Sequence, residues 1–297
     1  MKNNKTYIVA EIGNNHEGSM SNVFKLIDEA KSCGVDAVKF QTFKVENFIS
    51  NSIDETKHRL MKKFQLSYDD FMAIRKYCRK KKIDFFSTPL DLDSAKFLNN
   101  IQKVFKISSG DNNYYELIDL VKSFGKPIII STGLLNFKEV IKLKDYVKKR
   151  WKKEKKYLTL MHCVSSYPVP NEEVNLSVVN KFVNQFKDCM IGYSDHSIGP
   201  NASIYSVAYG AKIVEKHFTL DKKFSSFRDH ALSADIKDMK YIVDNIRNIE
   251  KIAGLGEKKI QKSEKINLLH ARRSVSSKIF LKKNTFINNK DFKMLRP

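Results

Sequence analysis

Two apolar runs late in this chain end in histidine, one from Cys189 to His196 and the next from Ala211 through His217 to Phe218. Each reads as a buried strand that finishes in ionisable groups: Ser194, Asp195 and His196 on the first, Glu215, Lys216 and His217 on the second. Placed as parallel neighbours, they aim imidazole, carboxylate and hydroxyl groups at one point. A barrel enzyme assembles its site in this way, from the C-terminal ends of several strands.

The same pattern recurs along the chain. Apolar runs end in Glu11, in Lys39 with Gln41, in Ser87 with Thr88, in Lys106 with Ser108 and Ser109, in Ser131 with Thr132, and in His162. Side chains alternate along a strand, so Lys39 and Gln41 share one face while Val38 and Phe40 share the other. The same parity groups Ile213, Glu215 and His217 and turns Lys216 to the outer layer, where a structural ion pair is expected. A lysine inside a barrel needs a partner. Lys39 and Lys106, joined by Thr88, Ser109 and Ser131, are suited to surround a phosphate with charge-assisted hydrogen bonds.

Positioning these groups takes eight strands, and the periodicity supplies them: 6–11, 36–42, 83–88, 104–108, 127–132, 157–163, 190–195 and 212–218, separated by amphipathic stretches. Strands alternating with helices indicate a (β/α)8 TIM barrel. The rival is an open doubly wound sheet. It is disfavoured because the residues after the first strand, Glu11-Ile12-Gly13-Asn14-Asn15-His16, lack the glycine spacing of a dinucleotide fingerprint.

Composition fits one large domain with a small appendage: 297 residues, 42% of them hydrophobic. The N-terminal segment is too short for a signal sequence, and no apolar stretch reaches membrane-span length. Cys33, Cys78, Cys163 and Cys189 stand singly, which argues against a zinc knuckle or disulfide frame and fits packing residues in a reducing cytoplasm. The net charge of +21 invites a nucleic-acid reading. The lysines are spread through helix-like segments, however, and the densest run, from Lys148 to Lys156, falls between a helix and a strand and reads as a solvated loop. A basic field of this kind helps to collect small anions.

Eight segments together resemble the sialic acid synthases and their relatives that make legionaminic and pseudaminic acids. They are residues 10–18, 36–43, 87–89, 106–109, 125–133, 162–168, 192–196 and 215–221, in the order of that family. The resemblance implies condensation of phosphoenolpyruvate with an open-chain N-acetylated amino sugar, N-acetylmannosamine or a 2,4-diacetamido-trideoxyhexose, giving a nonulosonic acid and phosphate. It also implies a cytoplasmic homodimer with no nucleic-acid or membrane partner. It implies a divalent metal, Mn2+ ahead of Mg2+ or Co2+, held by His196 and His217. Lys39, Thr88, Lys106, Ser109, Ser131, Ser165 and Ser194 fall around phosphoenolpyruvate, and Gln41, Tyr167, Asp229 and Arg296 around the sugar. Glu11, Glu215 and Asp229 fall at the reacting centre, and the sequence does not rank them. Ser165 departs from the pattern, since these enzymes commonly carry asparagine there and a hydroxyl offers fewer hydrogen-bonding groups than an amide. His162 and His230 are expected behind the metal ligands or at substrate rather than as ligands. Asn14, Asn15 and His16 are expected to shape the first loop.

After a barrel over residues 1–254, residues 255–271 read as a linker and 272–297 as part of an antifreeze-protein-like lid. Since the sequence stops at Pro297, about half of such a small domain is expected to be missing. Two rival functions share some of these features. A synthase acting on an aldose phosphate requires a second anion cluster, whereas a lid-less, non-catalytic binding protein leaves the strand-end groups without a purpose.

Overall fold

The computed structural model describes residues 5–149, 157–254 and 256–296; residues 150–156 of the basic run lie outside the described residues. The chain divides into two compact units, Met1–Ile252 and Ala253–Pro297. In the first, all eight expected strands form: β1 (Tyr7–Gly13), β2 (Ala37–Thr42), β3 (Asp84–Pro89), β4 (Phe105–Ile107), β5 (Ile128–Ser131), β6 (Leu158–Cys163), β7 (Met190–Asp195) and β8 (Ile213–His217). They are parallel, and β8 pairs with β1, so the sheet curls into a TIM barrel. The ladder order runs from β3 through β2, β1, β8, β7, β6 and β5 to β4. No ladder bond joins β3 to β4. At that seam the buried Gln102 amide takes the place of a strand, accepting from the Ser87 N–H at 2.7 Å and donating to the Ser87 carbonyl at 3.1 Å.

The connecting helices are α1 (Met20–Cys33), α2 (Glu55–Phe64), α3 (Tyr68–Lys81), α4 (Leu92–Asn99), α5 (Tyr115–Ser123), α6 (Phe137–Lys148), α7 (Ser177–Gln185), α8 (Asn201–Ala208), α9 (Arg228–Leu232) and α10 (Ile236–Ala253). Local chemistry starts and stops them. Ser67 with Asp70 and Asn136 with Glu139 form capping boxes at α3 and α6, and left-handed Gly34 closes α1. Two elements exceed one helix per strand: α2 lies in the long loop after β2, and α9 in the loop after β8.

Parity divides the core. Phe40, Phe105, Ile128, Ile130, Leu160 and Val214 face the helices, whereas Val9, Ala37, Phe86, Ile129, Met161 and Ile213 form a separate apolar cluster. The alternation of β1, β2, β3, β5, β6 and β8 puts that cluster inside the barrel. Further along the same inward rows come Glu11, Lys39, Thr88, Ser131, Cys163 and Glu215.

Lys216 points outward, as the alternation requires, and pairs with Asp195 at 3.1 Å. Both are buried, and Asp195 also accepts from the Tyr193 and Ser203 hydroxyls and from both the N–H and the hydroxyl of Ser197. Five donors on one carboxylate lock the end of β7, the turn that carries His196, and α8. Lys216→Met strands a buried anion, so unfolding in denaturant should show a loss of about 3–5 kcal/mol. A loss under 1 kcal/mol would refute that role for the pair.

The second unit holds α11 (Asn267–Ala271) and an antiparallel pair, β9 (Ser274–Ser277) with β10 (Phe292–Leu295). Its helix falls inside the stretch expected as linker. Arg296 follows β10 and is exposed.

Candidate active site

The inward rows converge on two buried lysines and two buried glutamates. Lys39 Nζ lies 3.1 Å from Glu215 Oε1 and 3.4 Å from Glu11 Oε2, and it donates to Thr88 Oγ1 at 3.4 Å. Lys106 Nζ approaches the same Glu215 oxygen at 3.5 Å, and Ser194 donates to it at 3.0 Å. Gln41 donates to Glu11 Oε1 at 3.3 Å and accepts from Asn14 at 2.8 Å.

Their unequal surroundings drive the two carboxyls apart. Burial alone raises both, but Lys106 and Lys39 overcome it at Glu215 and hold that carboxylate well below the usual range. Glu11 is pushed up to about 7 by burial, against the pull of Lys39 and with the help of the Glu215 charge. The lysines separate too. Burial lowers Lys106 against the pull of Glu215 and with the help of the Lys39 charge, whereas Glu11 and Glu215 together outweigh burial at Lys39 and raise it. The result is a fixed anion beside a carboxyl poised to exchange protons, the environmental split that separates acid and base roles.

Beside the lysines lie hydroxyls without protein partners. Ser131 Oγ and Ser165 Oγ are buried and make no hydrogen bond. Ser109 Oγ accepts from the Gly133 N–H at 3.2 Å, and Asn112 holds the carbonyls of Ser131 and Gly133 at 3.3 and 2.9 Å. A Cβ on Gly133 would lie 2.3 Å from Ser165 Oγ and 2.7 Å from Ser109 Oγ, so glycine is required for the loop to come this close. Gly133→Ala is expected to displace both hydroxyls and raise KM for an anionic substrate about tenfold, while overpacking costs about 1–3 kcal/mol of stability. Steady-state kinetics with thermal unfolding checks both, and an unchanged KM would contradict the placement.

Above this layer, His196 and His217 face each other with ring centroids 5.5 Å apart. The Val164 carbonyl engages His196 Nδ1 at 2.8 Å, which fixes the ring. His217 Nδ1 is buried without a partner, and burial and His196 hold the ring well below the usual imidazole range, hence neutral. Two imidazoles so placed would suit a divalent metal. Among the described residues no group of three His, Cys, Asp or Glu side chains forms a closed metal cage. Tyr167 packs on His196 at 4.2 Å between centroids, with the Arg228 guanidinium 4.9 Å from its ring.

A cavity of about 840 Å³ opens over His217, with Gln41, Tyr167 and Asp229 in its lining. Burial raises Asp229 against the pull of Arg228, whose Nε lies 3.4 Å from its Oδ1. The outer wall is Phe48, Leu60, Met61, Phe64 and Phe227, supplied largely by the two loop insertions. Arg296 belongs to the second unit.

Two expectations change. His162 points outward from β6, its Nε2 on the Val174 carbonyl at 2.9 Å and its ring near Phe182, so it lies away from the site. Cys163, expected as packing, faces inward, with Sγ 3.6 Å from both His196 Nδ1 and Ser109 Oγ. His230 bonds Thr219 Oγ1 at 2.7 Å and lies 3.3 Å from Glu17, outside the histidine pair. Asn112 and Gln102 carried no sequence signal beyond their type. The first loop is held as expected, Asn15 bonding the Phe218 carbonyl and Ser233.

Known proteins share this architecture. The chain is 40% identical to the uncharacterized protein MJ1065 of Methanocaldococcus jannaschii over all of this chain and 86% of that protein. It is 36% identical to the N,N'-diacetyllegionaminic acid synthase of Campylobacter jejuni over 99% of this chain and 91% of the enzyme. The crystal structure of N-acetylneuraminic acid (sialic acid) synthetase from Leptospira borgpetersenii, in complex with citrate, superposes with a TM-score of 0.81 at 32% identity, covering 89% of this chain and 90% of that one. Residues 26–258 match the NeuB family, so the strands that carry Lys39, Lys106, Glu215 and the two histidines place the chain in that family, the sialic acid synthases.

Proposed function

We propose that this chain condenses phosphoenolpyruvate with an N-acetylated amino sugar to give a nonulosonic acid and inorganic phosphate. One observation carries the reading: Lys39 and Lys106 both lie on Glu215, burial disfavours a charge on Glu11, the second carboxyl, and unpartnered serine hydroxyls stand in the same site. Such a site is short of negative charge, and a small molecule bearing phosphate and carboxylate supplies it. Lys39, Thr88, Lys106, Ser109, Ser131, Ser165 and Ser194 hold that anion. His196 and His217 would hold a divalent metal, Mn2+ first, which when bound supplies Lewis-acid polarisation of the sugar aldehyde.

Carbon 3 of the enol attacks the aldehyde carbon, whose oxygen gains a proton, and positive charge develops at carbon 2. Glu215, kept ionised by the lysines, stabilises that charge. Glu11 takes a proton from the water that adds at carbon 2 and returns it to the new sugar oxygen, and the hydroxyl left on carbon 2 gives its proton to the departing phosphate as the carbon–oxygen bond breaks and the ketone forms. Gln41, Tyr167 and Asp229 orient the sugar, and holding both reactants in register lowers the barrier further. The base role sets the sign of the pH response. Glu11 must be ionised, so kcat/KM should rise with pH through about 7 and level off above it. Glu11→Gln should remove that limb and slow the reaction about 100-fold or more; a limb unchanged in the variant would assign the titration elsewhere.

The apolar wall of the cavity favours the sugar with two acetamido groups and a methyl carbon over N-acetylmannosamine, consistent with the Campylobacter jejuni relative. The charged lining residues are of mixed sign, with Lys57, Lys63 and Arg228 beside Glu17, Asp54 and Asp229, which does not suit an aldose phosphate. Comparing N-acetylmannosamine with the two 2,4-diacetamido-trideoxyhexose isomers, with product mass read by spectrometry, tests the choice. Higher kcat/KM with a diacetamido sugar supports it, and preference for N-acetylmannosamine overturns it.

A further inference from the structure

A second cleft, of about 600 Å³, lies at the opposite end of the barrel from the site. Its lining comes from the last turns of α3, the start of β3, and the loops that lead into β4 and β5, around the seam where β3 and β4 exchange no ladder bonds. Four cations line it, Arg75, Arg79, Lys103 and Lys126, against one carboxylate, Asp84, which already accepts from Tyr7 at 2.8 Å. Lys126 is anchored on the carbonyls of Asn99 and Gln102. Among the described residues, the side chains of Arg75, Arg79 and Lys103 make no ion pair or hydrogen bond.

Cations gathered around one cleft without carboxylate partners concentrate a positive field there, and an anion is drawn to it. The other half of the lining is apolar and includes Phe85. Ser87 turns its peptide groups to the seam to meet Gln102, and strand alternation turns those of Phe85 the same way. The cleft therefore offers guanidinium and ammonium groups, an aromatic surface and a strand edge, within the size range of small-molecule sites. We propose that it binds a small polyanion with a flat aromatic part, of the nucleoside phosphate class, independently of the barrel mouth. The cations take the phosphates and the apolar wall takes the base.

The test is calorimetric titration with a nucleoside triphosphate and with inorganic triphosphate, both in saturating phosphoenolpyruvate so that the anion groups at the mouth are filled. The expected result is saturable one-to-one binding of the nucleotide, tighter than that of inorganic triphosphate. Arg79 and Lys103 are exposed, so the double variant R79A/K103A should fold normally and bind at least tenfold more weakly. Removing the same charge from α6 and α10, as K138A/K237A, should leave binding unchanged. Equal loss in both variants would reduce the effect to the net charge of +21 and overturn the site. Absence of saturable binding would also overturn it, as would binding of inorganic triphosphate as tight as that of the nucleotide. Turnover of R79A/K103A should match that of the parent, so failure of the proposed condensation reaction would leave this result standing.

Discussion

Glu215→Gln is expected to cut turnover about a thousandfold while leaving phosphoenolpyruvate bound at least as tightly as in the parent. The two effects separate because the Glu215 charge opposes the ground state and favours the transition state. In the resting site the carboxylate neutralises Lys39 and Lys106 at 3.1 and 3.5 Å. Removing it frees both ammonium groups for the anion, so ground-state affinity does not fall. The positive charge that develops at carbon 2 then has lost its fixed counter-charge, and that loss appears in kcat. Rapid phosphate assays with direct titration of phosphoenolpyruvate measure the two quantities. A loss of binding as large as the loss of turnover would mean that Glu215 only shapes the pocket.

His217→Ala and His196→Ala are each expected to lower turnover by a factor of roughly a thousand and to abolish its dependence on added metal, since a Lewis acid contributes several kcal/mol of charge stabilisation. In the parent, chelator should stop turnover and Mn2+ should restore it. Neither ring carries much of the fold: His217 Nδ1 has no partner to lose, and His196 gives up a bond to the Val164 carbonyl, a long contact with Cys163 Sγ and its packing on Tyr167. Unfolding midpoints should therefore stay within a few degrees of the parent. Activity that survives chelator in the parent, with the histidine variants equally active, would remove the metal from the account.

The barrel was legible because its strands are short apolar runs that end in polar groups, and alternation alone assigned Lys39 and Glu215 inward and Lys216 outward. The same rule, applied to β6, puts Met161 and Cys163 inside and His162 outside; chemical type drew attention to His162, and parity corrects it. Other features arise from approaches across the fold that have no one-dimensional signature. Ser165 and Ser109 meet over Gly133, from loops after different strands, and the Gln102 amide stands in for a ladder bond at the β3–β4 seam. Of the cavity wall, Phe48, Leu60 and Met61 fall in the loop over residues 44–62, whose length after β2 marks it for the sugar, whereas Phe227, beside α9, had no such signal.

Phosphate release from phosphoenolpyruvate, followed with Mn2+ in the presence and absence of a diacetamido hexose, tests the central claim most directly. Release that requires both the sugar and the metal, and that falls about a thousandfold in Glu215→Gln, is the result expected of a condensing site built on Lys39, Lys106 and Glu215. Release at the same rate without any sugar, or no binding of phosphoenolpyruvate to the folded protein, would contradict it.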